Sequence, residues 1–216
     1  MPKIVDEQAR RERIAEAVWA IVNHDGLHAA TVRAVATECG LSTGSIQHSF
    51  PTQAALLKFA MELIVSRASE RINGLAALPA DEVDISHPTA TVKSAAPLTV
   101  ITDLLLQLLP LDQQRETEAR VWAAFSTAAL TQTELAPYAR HMDCLLESFC
   151  SRCLQQLAPN VQPNHRALTE HAVQLHALLD GLTLHLLTNP SPDRNCQAAR
   201  AIEHFLQSQA NELATL

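Results

Sequence analysis

The side chains able to do chemistry fall into a few groups. Thr43, Ser45, Gln47 and His48 are short hydrogen-bonding residues crowded into one heptapeptide, a set that matches the donors and acceptors of base edges and phosphates. Cys150-Ser-Arg-Cys153 is a C-x-x-C, and His141, Cys144 and Glu147 stand at i, i+3 and i+6. Neither set is accompanied by a second pair or a His at zinc-finger spacing, and one helix seldom completes a metal site. These are expected to be ordinary core or surface thiols, with no metal and no cofactor. His176, Asp180 and Thr183 form a polar row in an apolar segment, either a hydrogen-bonded structural pair or the polar side of a ligand cavity. Trp122 and Phe125, one turn apart, are either core or the flat walls of a pocket, with Leu104, Leu108, Met142 and Leu145 as expected neighbours. No phosphate loop, G-x-S-x-G or H-E-x-x-H is present, so the chain is expected to bind rather than to catalyse.

The elements that must position these groups are helices. Only 5 of the 216 residues are Gly, about a third of the ~7% usual in proteins, too few for a fold rich in tight turns. Eleven prolines parse the chain into segments of helical length and helical period. Ile14, Ala17, Val18, Ile21 and Val22 mark one apolar stripe on a helix from about Asp6, its expected N-cap, to His24, with Gly26 as the stop. A long helix opens at Thr52, and others are expected at 97–109, 112–131, 135–157, 164–188 and 194–213. Residues 79–96 hold two prolines, three acids and no apolar period, and are expected to be a solvated connection.

Hydrophobic residues make up 47% and charged ones 18%, the balance of a globular protein. No run approaches a membrane span and the charged start carries no secretory signal. With five cysteines, an odd number, the expectation is a cytoplasmic protein with reduced thiols. The net charge of −7 lies wholly beyond residue 60, because residues 1–60 hold six bases and six acids. Only that neutral first quarter avoids repelling a polyanion.

Within it, Thr31 is expected to cap a helix over 32–39, Gly40 to end it in a left-handed turn, and Ser42 to cap a second helix over 43–49. Ala36 allows a close crossing, while Val35, Cys39, Leu41 and Ile46 plug the inner face. A small residue, Gly four later and a branched residue six beyond that is helix-turn-helix spacing. Geometry alone also allows an αα-hairpin with Gly at its bend. The surrounding pattern, a long helix before and Phe50-Pro51-Thr52 and another long helix after, resembles the tetracycline-repressor (TetR) family of bacterial transcription regulators. Thr31, Ala36, Gly40, Leu41-Ser42, Gly44, Ile46, Phe50 and Leu56-Leu57 carry the resemblance over about residues 10–60. The family often has Tyr at the position of Gln47 and Lys at that of Gln53. Both glutamines can donate hydrogen bonds, but neither brings charge. Leu109-Pro110-Leu111, Glu118–Phe125 and Leu178–Leu187 look like the betaine-regulator type of C-terminal half.

The resemblance implies an all-α protein with a three-helix DNA-binding head, residues 1–51, and an antiparallel helical body for ligand binding and dimerisation, residues 52–216. Expected DNA contacts are Thr31, Arg33, Ser42, Thr43, Gly44, Ser45, Gln47, His48, Thr52 and Gln53. Leu104, Leu108, Trp122, Phe125, Met142, Leu145, His176 and Asp180 are the expected effector contacts. The function expected is a homodimeric regulator, a repressor, that binds a pseudo-palindromic double-stranded operator and is released by a small amphipathic effector. The competing reading is a helical ligand- or redox-binding protein without DNA binding. The helix 164–188 is apolar nearly all round, as expected of one that serves both a core and a partner subunit, with Gly181 where another backbone would approach.

Overall fold

The structure, a computed structural model, describes residues 2–75, 98–162 and 165–214, with side chains from Glu7 onwards. Among the described residues there are nine α-helices and no strand. They are α1 (Pro2–Asp25), α2 (Val32–Glu38), α3 (Thr43–Ser49), α4 (Gln53–Leu75), α5 (Leu98–Leu106), α6 (Gln113–Ala129), α7 (Ala136–Leu157), α8 (Arg166–Thr188) and α9 (Arg194–Leu213). The all-helical expectation holds, and the prolines and caps mark the helix ends to within a few residues. One end differs: α1 begins at Pro2, so Asp6 lies inside the helix rather than capping it. Proline is favoured at a first helical position because the N–H it lacks would be unpaired there anyway. The connection expected at 79–96 lies outside the described residues.

The chain forms two compact units. One comprises residues 1–66 and 117–140, the other 67–116 and 141–216. The core of the first is a single cluster. Ile14, Val18 and Trp19 of α1 meet Val35 and Ala36 of α2, Ile46 of α3, and Leu56, Leu57, Met61 and Ile64 of α4. The apolar stripe of α1 is buried throughout, as its spacing predicts. Val121 and Phe125 of α6 and Leu135 join the same cluster, so part of α6 completes this core. The indole N–H of Trp19 donates to the carbonyl of Ala60 at 3.1 Å, which satisfies a polar group inside the core. In the second unit α9 packs on both α5 and α8. Leu168, Ala172, Leu175, Leu179 and Leu186 supply the inner side of α8, and Ala198, Ile202, Leu206 and Leu213 that of α9.

The turn between α2 and α3 is built as a Schellman motif. Gly40 has φ +65°, the Leu41 N–H donates to the Ala36 carbonyl at 2.8 Å, and the Gly40 N–H to Thr37 at 3.1 Å. Nothing stands within 4 Å of where a Cβ on Gly40 would lie. The glycine is required by its backbone conformation, not by space. Gly40→Ala is therefore expected to lower stability by about 1–2 kcal/mol, the cost of a left-handed L-residue, without moving neighbouring side chains. Denaturant unfolding with circular dichroism would measure this, and a neutral result would remove the conformational argument.

Candidate nucleic-acid interface

Three hydroxyl caps hold the helix-turn-helix in place. Thr31 Oγ1 accepts from the Ala34 N–H at 3.2 Å, Ser42 Oγ from Ser45 N–H at 3.2 Å, and Thr52 Oγ1 from Ala55 N–H at 3.0 Å. Each hydroxyl uses an acceptor site for its cap and keeps its proton for another partner. Ile46 of α3 is fully buried and pins the helix to the core, with Val35 and Ala36 beneath it. On the opposite side Thr43, Gly44, Gln47 and His48 are exposed. Nothing lies within 4 Å of a Cβ position on Gly44, so the backbone there is open to close approach. Thr31, Arg33, Ser42 and Thr52 are exposed on the flanks.

Two of the expected contacts are turned inward. Ser45 is half-buried, and Arg10 Nη2 donates to its carbonyl at 3.0 Å and to its Oγ at 2.7 Å. Gln53 Nε2 donates to the Ala30 carbonyl at 3.1 Å, so this side chain ties the start of α4 to the residue before Thr31. The expectation that Ser45 is exposed with the other three is thus corrected: the serine faces α1, where a guanidinium supplies two donors. Gln53 likewise spends an amide N–H on a main-chain carbonyl.

The arginines of α1 were not among the expected site residues, yet they brace it. Arg11 lies over the ring of Phe59, 4.6 Å from its centre, and 5.9 Å from that of Phe50. The two rings are themselves 5.0 Å apart. A cation beside two tilted aromatic rings braces the junction between α3 and α4. The Arg13 guanidinium favours the thiolate of Cys39, but burial outweighs it and pushes the thiol's pKa up. Only the charge of this triplet is visible in the sequence. Its partners lie far away along the chain.

The eight residues expected to line an effector pocket divide between the two units. Trp122 and Phe125 belong to the first, and Phe125 is buried edge-on against Tyr138, 5.7 Å between ring centres at 85°. Phe125 is therefore a core residue of that unit and not an open wall. Leu104, Leu108, Met142, Leu145, His176 and Asp180 belong to the second. There His176 Nε2 lies 3.4 Å from Asp180 Oδ2, one turn apart on α8. Loss of hydration raises the Asp180 pKa and the charge of Asp143 on α7 adds to it, against the opposing pull of His176. The Asp180 side chain is 54% exposed, so the loss of hydration is partial, and its upward shift is a condition that an approaching cation would relieve.

Cys150 and Cys153 are both buried, and burial raises both thiols, Cys153 to about 12. They pack as small apolar residues, the expected core reading. No group of three His, Cys, Asp or Glu among the described residues is arranged to hold a metal ion, and no described helix is long and apolar enough to cross a membrane.

A capped helix pair with a left-handed glycine turn, a buried inner face and an exposed polar outer face defines a helix-turn-helix protein. Residues 14–60 match the description of bacterial regulatory proteins of the tetR family, and residues 97–211, more than half of the chain, that of the BetI-type transcriptional repressor C-terminal region. The chain belongs to the TetR family of transcriptional regulators, with a BetI-type C-terminal half. It is 29% identical over 216 residues to the HTH-type transcriptional regulator PksA of Bacillus subtilis, which covers 96% of this chain and 93% of that one. A transcriptional regulator from Rhodococcus sp. Rha1 has a similar solved structure, with TM-score 0.67, 27% identity and 95% and 96% of the two chains covered. A regulator from Saccharomonospora viridis, solved in complex with choline, shares the fold at TM-score 0.69 and 22% identity, over 93% and 96% of the chains.

Proposed function

We propose that this regulator is a cytoplasmic homodimeric repressor that binds a pseudo-palindromic operator and leaves it when a small cationic amphipathic molecule binds the helical body. The functional division is a DNA-binding head over residues 1–51 and a regulatory body over 52–216. The observation that carries the DNA reading is the exposed face Thr43, Gly44, Gln47 and His48 on a helix whose other side is locked into the core. Gln47 and His48 read base edges, joined by the remaining hydroxyl proton of the half-buried Ser45, while Thr31, Arg33, Ser42 and Thr52 meet the flanking phosphates and Gln53 acts mainly from within. In the dimer two such helices enter successive major grooves about one helical turn apart. Selection from a pool of random duplexes followed by gel shift tests this. Gln47→Ala with His48→Ala should keep stability within about 0.5 kcal/mol, since both side chains are exposed, and should flatten the preference among duplexes. Unchanged preference would reject α3 as the reading helix.

The dimer is supported by the outer side of α8. Val173 and Leu184 are 50% and 60% exposed, with Ala177 and Gly181 on the same side, and the space over Gly181 is open within the chain. An apolar strip around a bare backbone fits a symmetry mate of the same helix. Because Gly181 has no neighbour to displace, Gly181→Arg should leave the subunit folded and convert the dimer to monomer in analytical ultracentrifugation. Monomeric wild type at micromolar concentration would remove the dimer.

The effector reading rests on His176 and Asp180, with the half-buried Leu108 and Leu145 in the same unit, where Leu104 and Met142 are core residues, and with Asp143 adding negative charge. Such a mixture favours a cation with an apolar body, and the choline bound by the Saccharomonospora viridis regulator is one. Calorimetric titration with choline should show binding that weakens about tenfold or more in Asp180→Asn, the loss of one charge-assisted contact. Equal binding by both proteins would exclude Asp180 as the anchor.

A further inference from the structure

We propose that Arg10 is the positioning residue of the recognition helix and, through Ser45, a determinant of its specificity. This rests on the DNA-binding reading above. α3 has seven residues, and the one it buries fully is Ile46. A single apolar anchor fixes how deep a short helix sits but leaves its rotation about its own axis loosely set. Arg10, 35 residues earlier on α1, supplies the missing constraint. Its Nη2 reaches both the carbonyl and the Oγ of Ser45, at 3.0 and 2.7 Å, so main chain and side chain are gripped together at the middle of the helix. The arginine side chain is only 24% exposed, and its other short-range charge partner, Glu7, is 3.8 Å away. It is spent on the protein and not left free for phosphate.

The grip also fixes the polarity of Ser45. A guanidinium has donors and no acceptor, so Ser45 Oγ must accept from it. The hydroxyl proton is then the group left to give, and the remaining lone pair, beside a cation, is a poorer acceptor. A hydroxyl polarised in this way favours acceptors on DNA, such as guanine N7 and O6, adenine N7, thymine O4 or a phosphate oxygen, over the amino groups of adenine and cytosine. Arg10 thereby acts on base choice without touching a base.

The test uses the full chain and the duplex enriched by the wild-type protein from a random pool, with a scrambled duplex as reference. Arg10→Ala is expected to reduce discrimination between the two roughly tenfold, in line with loss of a charge-assisted hydrogen bond. The salt dependence of binding to the scrambled duplex should not change. Ser45→Ala should relax preference at the same base position, and the double variant should lose less than the product of the two single losses. Should Arg10→Ala unfold, Ser45→Ala, a small exchange at a half-buried position, decides the matter: preference relaxed at one base position supports the proposal, and unchanged preference overturns it. Equal weakening on both duplexes with a salt slope lower by about one would make Arg10 a phosphate contact and overturn the proposal, as would unchanged discrimination. A wild type that enriches no duplex would instead overturn the DNA reading and this proposal with it.

Discussion

Two helices of seven residues cannot stand alone, because the nucleation cost of a helix is recovered only over many more residues than that. Everything that the α2–α3 pair does depends on the left-handed turn at Gly40. The turn returns two carbonyls of α2 to hydrogen bonds, and it sets the crossing that lets Val35, Ala36 and Ile46 enter one core. The caps at Thr31, Ser42 and Thr52 then close the ends at hydroxyl oxygens, so three short polar residues set three helix starts. With the inner face so fixed, the outer face follows from helical periodicity.

How much of this was legible in the sequence depended on the range of the interaction. Caps, stops and stripes are local: the glycine at 40, the hydroxyl residues three before their N–H partners and the spacing of Ile14, Val18 and Val22 all announce themselves within a turn or two. The contacts that redirected particular side chains are not local. Arg10 meets Ser45 across 35 residues and Gln53 meets Ala30 across 23. A helical wheel assigns Ser45 to the polar side, but only the placement of α1 shows that this side has a guanidinium on it. The same limit applies to Phe125. Its size and its neighbour Trp122 leave core and pocket wall both open, while the cluster it joins, with Val121 and Leu135, is a property of the folded chain.

The arginines of α1 also change what the charge balance means. Residues 1–60 are neutral in sum, which is a modest electrostatic basis for holding a polyanion. The structure goes further, because Arg10 grips Ser45 and Arg11 covers Phe59 and Phe50. Positive charge is used to build the reading surface, and hydrogen-bonding shape is left to use it. Gln47 and Gln53 fit the same pattern, one exposed and neutral and the other tied to a carbonyl.

The second unit applies the opposite logic to α8. Its inner side is apolar packing, Leu168, Ala172, Leu175, Leu179 and Leu186, interrupted by the buried His171. The further departures from that packing are what need a cause. Asp180 is held where its charged form is disfavoured, beside Asp143, with His176 as its one-turn neighbour. Gly181 follows directly, costing about 1 kcal/mol against alanine in a helix interior, although nothing in the chain presses on it. Neither residue helps the subunit to fold. The proposed cationic effector and the proposed partner helix would give each a role, the first for the carboxylate and the second for the bare backbone. Because they are adjacent on one helix, a ligand that drew Asp180 toward itself would also shift the surface on which the proposed partner subunit rests. In that proposed arrangement the adjacency would be the shortest physical link between effector binding and the geometry of a dimer.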